Sequence, residues 1–445
     1  MEKKLQIAEL SPYSLRSVRT VVSKGKARYR VGWIAIFLAM TFATFKYFPG
    51  MEVPRELWNV ALFLFLLGPY ALWKLRNGFR FTSLELYVIV ILTTIPAISA
   101  FAAHQEFGQP ILYGVLAKRN LVLCGGALAL LYLLRRGKVG VGEIEKSLLL
   151  LVWATLLLYL SIDLIFDPAD FADEYKSFAN SESKWEKAAF KFAPEFIIFG
   201  FFYYGFLAFR ERRNKYYLYA FVLLFYLLMT GQRTMLLSVI LSFLILIYRF
   251  GSLPRLVVYV PALLMGFVAC LSLYYIYDPD QFIFLLEKFQ DAFTVLLTGE
   301  ESNDVSANAR ISEFQLARPY AEKHWFLGNG DISNQWEGGY EGILGEYFHP
   351  SDIGWIGVVY LYGIVGFMLF VVQFLFAIRY ARQIKHGKYG KLVDAIQGFL
   401  LYYFIISMVT GHFVHFPQVS LMFIALLCHI RYEPSECLRR MWMIS

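Results

Sequence analysis

The sequence predicts an all-α polytopic membrane protein: about twelve transmembrane helices and one long loop that carries short helices of its own. Three observations predict it. Of the 445 residues, 58% are hydrophobic and the mean hydropathy is +0.51, an apolar share above that of ordinary soluble domains. Apolar runs of about 20 residues, the length that crosses a bilayer as a helix, recur along the chain. Basic residues gather in short clusters on every second connection between these runs, as the positive-inside rule requires of the cytoplasmic side.

Taken in order, residues 1–30 form a polar, basic tail with no small-residue cleavage site, so the first span is expected to be a retained anchor. Nine spans follow within 31–276, at about 31–48, 57–74, 84–103, 111–134, 147–166, 190–209, 216–231, 233–250 and 257–276. The loop occupies 277–353, three more spans lie at 354–377, 393–411 and 417–431, and 432–445 is a second tail. Twelve spans place both termini in the cytoplasm and the loop on the outer face of the membrane.

The net charge of +8 raises the question of nucleic acid. A nucleic-acid binder concentrates its basic residues on one face or tail, whereas here they mark alternate turns, so no nucleic-acid partner is expected. Cys124, Cys270, Cys428 and Cys437 lie in apolar segments and the last tail, which implies neither a disulfide framework nor a CxxC metal site.

The loop is opposite in sign to the basic clusters, with 13 Asp or Glu against 4 Lys or Arg over 277–350. Phe289, Ala292, Phe293, Leu296 and Leu297 repeat at helical spacing, which predicts an interfacial amphipathic helix over 282–297. A second helix is expected over 306–317, with Pro319 as its stop. Asp278 and Asp280 form a DxD pair, but on the face away from cytoplasmic nucleotide sugars, and no metal or other cofactor is expected.

Ionisable residues in or beside a span are functional candidates because burying charge in lipid is costly. Arg233 stands in a break between two apolar runs, at a turn where the topology rule disfavours a cation. Lys118 and Arg119 fall within the fourth span, so that either 111–117 is a short segment before the span begins or the pair faces a polar cavity. His349 lies three residues after Glu346 and three before Asp352. Pro350 places it just ahead of a helix N-terminus, and the nearby carboxylates suit an imidazole that moves protons near neutral pH. His412 and His415 read as interfacial residues at the last outer turn.

In order, Gly231-Gln232-Arg233-Thr234-Met235-Leu236-Leu237, Arg310 opening Arg310-Ile311-Ser312-Glu313-Phe314, the turn Trp325-Phe326-Leu327-Gly328-Asn329-Gly330, and His349 followed by Gly363-Ile364-Val365-Gly366 resemble the O-antigen polymerase and O-antigen ligase superfamily of bacterial membrane glycosyltransferases. The resemblance covers roughly residues 190–380. It departs from the commonest form in the residues after His349, Pro350-Ser351-Asp352, and in their spacing to Gly363.

The resemblance implies a glycan donor linked through diphosphate to a polyprenol, transferred to a hydroxyl on the outer face. The leaving diphosphate would be held by Arg233 with Arg119, Lys118 and Arg310, since guanidinium groups grip such anions without metal. His349 would be the base, oriented by Glu346 or Asp352, or Glu346 would itself be the base. Trp325, Trp336, Tyr340 and Tyr347 would stack on sugar rings. Polymerisation of lipid-linked repeat units into a surface polysaccharide is the expected activity, with ligation of a finished glycan or its transport as alternatives. The expected partners are the lipid-linked oligosaccharide, membrane lipids, and a chain-length regulator or flippase.

Overall fold

A computed structural model of the chain describes residues 24–176, 178–180, 189–250, 253–280, 282–283, 285–287, 289–290, 305–345, 347–384 and 389–442. It is almost entirely helical. The long helices are α1 (Lys24–Thr41), α2 (Glu52–Arg76, with a π-turn at Leu62–Leu67), α3 (Ser83–Phe107), α4 (Ile111–Ala117), α5 (Gly125–Arg135), α6 (Val141–Ile165), α7 (Glu195–Glu211), α8 (Asn214–Met229), α9 (Arg233–Phe250) and α10 (Leu253–Tyr277). Then come α11 (Val305–Lys323), the short α12 (Gly339–Leu344), α13 (Gly354–Gln383), α14 (Gly390–Thr410), the short α15 (His412–His415) and α16 (Pro417–Trp442). A two-residue antiparallel pairing, Ala179–Asn180 with Ala189–Phe190, is the strand content of the described residues.

The chain is therefore an all-α integral membrane protein. Among the described residues, five helices are long and apolar enough to cross a membrane, or six when α4 and α5, bent by 46°, count as one span. These account for half of the twelve spans read from the sequence. Four of the other six meet shorter apolar stretches among the described residues, Tyr29–Thr41, Asn214–Met229, Met265–Tyr277 and Pro417–Arg431. Two boundaries differ from expectation. The first helix ends at Thr41, followed by turns to about residue 50, and α11 runs through Pro319 to Lys323. Proline removes one amide hydrogen bond, and the last turn is held instead by the Arg318 to Glu322 pair and by bonds from Lys323 and His324 to Glu106. Most of the expected 282–297 helix lies outside the described residues.

The core is an aromatic stack at the centre of the bundle. Phe42, in the turn after α1, lies flat on Phe196 of α7 at 5.0 Å, and Phe423 of α16 meets both Phe199 and Phe399, at 5.4 and 4.9 Å. With lipid outside as apolar as the helices themselves, such association depends on close packing and small residues. Gly398 sits directly against the Phe202 ring, and a Cβ there would come within 2.4 Å of it.

The two ends of the bundle differ. At the end carrying the basic turns, Glu85 is fully buried and bonded to Lys74 of α2 and Arg135 of α5, each at 2.8 Å. Tyr70 also donates to it at 3.1 Å, and Glu85 closes a capping box with Thr82. One carboxylate thus ties three helices together. The opposite end holds the loop.

Candidate functional site

The loop enters the bundle at a broken helix. Gly363 inside α13 has φ 60° and ψ −165°, outside helical space, and only glycine adopts such a backbone at little cost. The break releases backbone groups that cannot stay unsatisfied in a membrane, and the loop residues 325–330 satisfy them. Ile364 N–H donates to the Trp325 carbonyl at 2.8 Å, while Asn329 and Gly330 N–H donate to the Tyr360 and Leu361 carbonyls at 2.7 and 2.9 Å. The Trp325 to Gly330 turn and the Gly363 to Gly366 stretch, separate in sequence, are two halves of one joint.

Beyond this joint the loop is pinned to α3 and α4. Asp331 N–H donates to Ser99 Oγ at 3.0 Å, and Ser333 N–H to Gln109 Oε1 at 2.8 Å. Lys118 forms an ion pair with the Asp331 carboxylate and lies 5.1 Å over the Tyr362 ring. Burial would raise the Asp331 carboxyl, but the Lys118 charge beside it holds it below the ordinary carboxylate range. Of the two readings of 111–117, the short separate helix is the one observed, with Lys118 at the bend. Lys118 is thereby committed to the loop, and Arg119 to Glu56 at 2.8 Å.

His349, extended in backbone, stands at the N-terminal end of a 3₁₀ turn, Pro350–Ile353, that leads into α13. Its side chain is exposed and meets the Tyr347 ring edge-on at 5.0 Å. Its backbone N–H donates to Glu313 Oε1 at 3.0 Å. Glu313 lies on α11 one turn after Arg310, is 2% exposed, and its second oxygen, Oε2, is buried without a hydrogen-bond partner. Burial pushes its carboxyl up to about 7, with the Asp352 charge adding and the His349 N–H and Arg310 opposing. A buried oxygen without a partner leaves the carboxylate charge poorly stabilised, which is the direction in which burial shifts this group.

A further histidine joins this end. His415 in α15 packs against Gly411, whose Cβ position is 3.1 Å from the Ser351 carbonyl and 3.4 Å from the His415 ring. Burial pushes the His415 imidazole down to about 3, with the Lys118, His412 and His349 charges adding and Asp331 opposing. It therefore stays neutral at physiological pH.

The site residues read from the sequence divide accordingly. His349, Asp352, Tyr347 and Arg310 gather about Glu313, and Asp352 also accepts from Ser351 at 3.1 Å. Arg233 opens α9 just after a left-handed Gly231, and α9 packs along α14, whose last turn meets the start of α13, where Gly354 lies on the Met408 carbonyl. Arg233 thus opens a helix that packs on α14, and His349 precedes the helix whose start meets the last turn of α14. Trp325 is exposed beside the joint and Trp336 is half-buried against the core. Tyr340 is buried, its hydroxyl donating to Asp331 at 2.8 Å and its ring against Phe348 and Tyr360, so this ring braces the loop from inside. Glu346 lies outside the described residues. Glu313 enters the sequence reading only as part of the Arg310 motif and His415 only as an interfacial residue, and nothing near His415 in sequence hints that the Lys118 charge reaches it.

Residues 218–371 match the family model described as O-antigen ligase. No curated protein matches the chain. The matched stretch contains Arg233, Arg310, Glu313, His349 and Gly363. It supports a place in the O-antigen polymerase and O-antigen ligase superfamily, whose members are membrane enzymes of glycosyltransferase type.

Proposed function

We propose that the protein polymerises polyprenyl-diphosphate-linked oligosaccharide units into a surface polysaccharide. The loop end of the bundle would lie on the outer face of the inner membrane, with both termini in the cytoplasm. The observation that supports this reading is the grouping of His349, Arg310 and Asp352 about the buried Glu313, with His349 N–H donating to Glu313 Oε1; Arg233 opens α9, which packs on the α14 that meets the start of α13.

In this mechanism the Arg233 guanidinium, with Arg310, holds the diphosphate and stabilises the charge that develops as it leaves. The exposed His349 imidazole takes the proton of the acceptor hydroxyl as its oxygen bonds to the anomeric carbon. The electron pair of the breaking glycosidic bond departs on the diphosphate, so the step needs no redox partner. Trp325 and Tyr347, both exposed, are placed to stack on sugar rings. Asp352 sits close enough to Glu313 to set the charge around His349. Lys118 and Arg119 serve the loop and α2 instead.

The test is purified protein incubated with a synthetic polyprenyl-diphosphate oligosaccharide in EDTA, with products read by mass. Products longer by whole repeat units support polymerisation without metal; unchanged donor overturns it. The family description favours a second reading, ligation of a finished glycan to a lipid or protein acceptor. A deletion strain divides the two. Single-unit glycan persists when a polymerase is lost, and long unattached chains accumulate when a ligase is lost.

A further inference from the structure

At the end of the bundle opposite His349, a cleft of about 410 Å³ opens between α7, α8, α9 and α10. Gly205 and Ala208 of α7, Tyr217 and Leu218 of α8, Phe243 of α9 and Gly266 of α10 line it. Its walls are almost wholly apolar, and at membrane depth such a cleft is filled by hydrocarbon. Gly205 lets the Phe243 ring pack directly on α7, since a Cβ there would meet that ring at 2.8 Å.

The cleft runs into the turn that joins α7 to α8. Ala208 stands in the last turn of α7 and Tyr217 in the first turn of α8, and between them the chain reads Arg210-Glu211-Arg212-Arg213-Asn214-Lys215. Arg210 is engaged by Asp394, and Arg213 lies 3.9 Å from Glu211. Arg212 and Lys215 are exposed. Arg212 sits at φ 51°, a left-handed conformation that ends α7. An apolar slot next to a turn that carries two exposed cations matches a molecule with a long hydrocarbon chain and a phosphate at its end. Basic sites between helices at a membrane surface take anionic headgroups in this way.

We propose that this cleft binds one acyl chain of an anionic phospholipid, with the phosphate on Arg212 and Lys215. The site is independent of the glycan chemistry, because it lies at the far end of α7 to α9 from Arg233 and His349. The experiment is native mass spectrometry of the full chain after incubation with equimolar phosphatidylglycerol and phosphatidylcholine of matched chains. The wild type is expected to retain phosphatidylglycerol preferentially. R212Q/K215Q should weaken that preference by about fivefold per charge removed.

Leu218→Trp, at a position 58% exposed and so tolerant of size, should fill the cleft and release both lipids. Equal retention of the two lipids by the wild type, or undiminished retention by Leu218→Trp, overturns the proposal. Displacement of phosphatidylglycerol by a polyprenyl phosphate, equally in the wild type and in R212Q/K215Q, would also overturn it by assigning the cleft to the lipid of the glycan donor.

Discussion

Glu85 and Glu313 are both glutamates buried to within 2% of complete exclusion from solvent, yet their surroundings are opposite. Glu85, at the basic end, has two cations, a tyrosine hydroxyl and a threonine cap around it. Glu313, at the loop end, has one backbone N–H and an oxygen with no partner. A carboxylate built to hold helices together is saturated with opposite charge. One left half-satisfied beside an exposed histidine is a group whose protonation can change, and perturbed carboxyls of that kind cluster at functional sites. Residue type and burial do not separate the two; their partners do.

Activity should break this symmetry most sharply. His349→Ala and Arg233→Ala are each expected to lower glycan transfer by at least about 10²-fold, the lower bound for removing a general base or an oriented charge, with protein still present in the membrane. Wild-type glycan ladders from either variant would remove the loop end from the chemistry. Glu85→Ala is the counterpart at the other end. It leaves Lys74 and Arg135 buried without their anion and should cost about 3–5 kcal/mol of stability, read as a large fall in thermal stability in detergent. Folded molecules of this variant should keep their specific activity.

The sequence revealed the half of the site that breaks a rule locally. Arg233 is visible because a cation at an outer turn opposes the topology bias, and His349 because proline and two carboxylates surround it. The joint at Gly363 is half visible: two glycine-containing turns can be read, but their pairing across some 35 residues depends on hydrogen bonds between backbones. Glu313 and His415 carry no such signal. Their character comes from what folds over them, and neither burial nor a neighbour more than 30 residues away leaves a mark on nearby residue types. The same holds for the Lys118 to Asp331 pair, which turns an apparent anion site into a brace for the loop.

Glu313→Gln sharpens the comparison through pH. With a carboxyl raised from 4.5 to about 7 in the folded protein, the folded state holds this proton more tightly than the unfolded chain. The contribution is therefore fully present below pH 4.5 and fades as pH rises through 7. Gln keeps an acceptor for the His349 N–H and cannot ionise. The variant should lose that decline and be more stable than wild type above pH 7, by roughly 3 kcal/mol. Parallel stability curves for the two proteins between pH 5 and 8 would mean that Glu313 does not titrate there.

The smallest effect is expected at Arg119, and its smallness is informative. Its 2.8 Å pair with Glu56 joins two side chains that are each about 40% exposed, and exposed ion pairs are worth at most about 1 kcal/mol. Arg119→Ala should therefore shift stability by less than that and leave transfer within about threefold of wild type, because its guanidinium is turned to α2 and not to the end of α14. Arg233→Ala removes the same functional group from the other position. If both variants lost transfer equally, the diphosphate would have to bridge α2 and α9, and the division drawn here between cations that brace the fold and cations that meet substrate would fail at its simplest case.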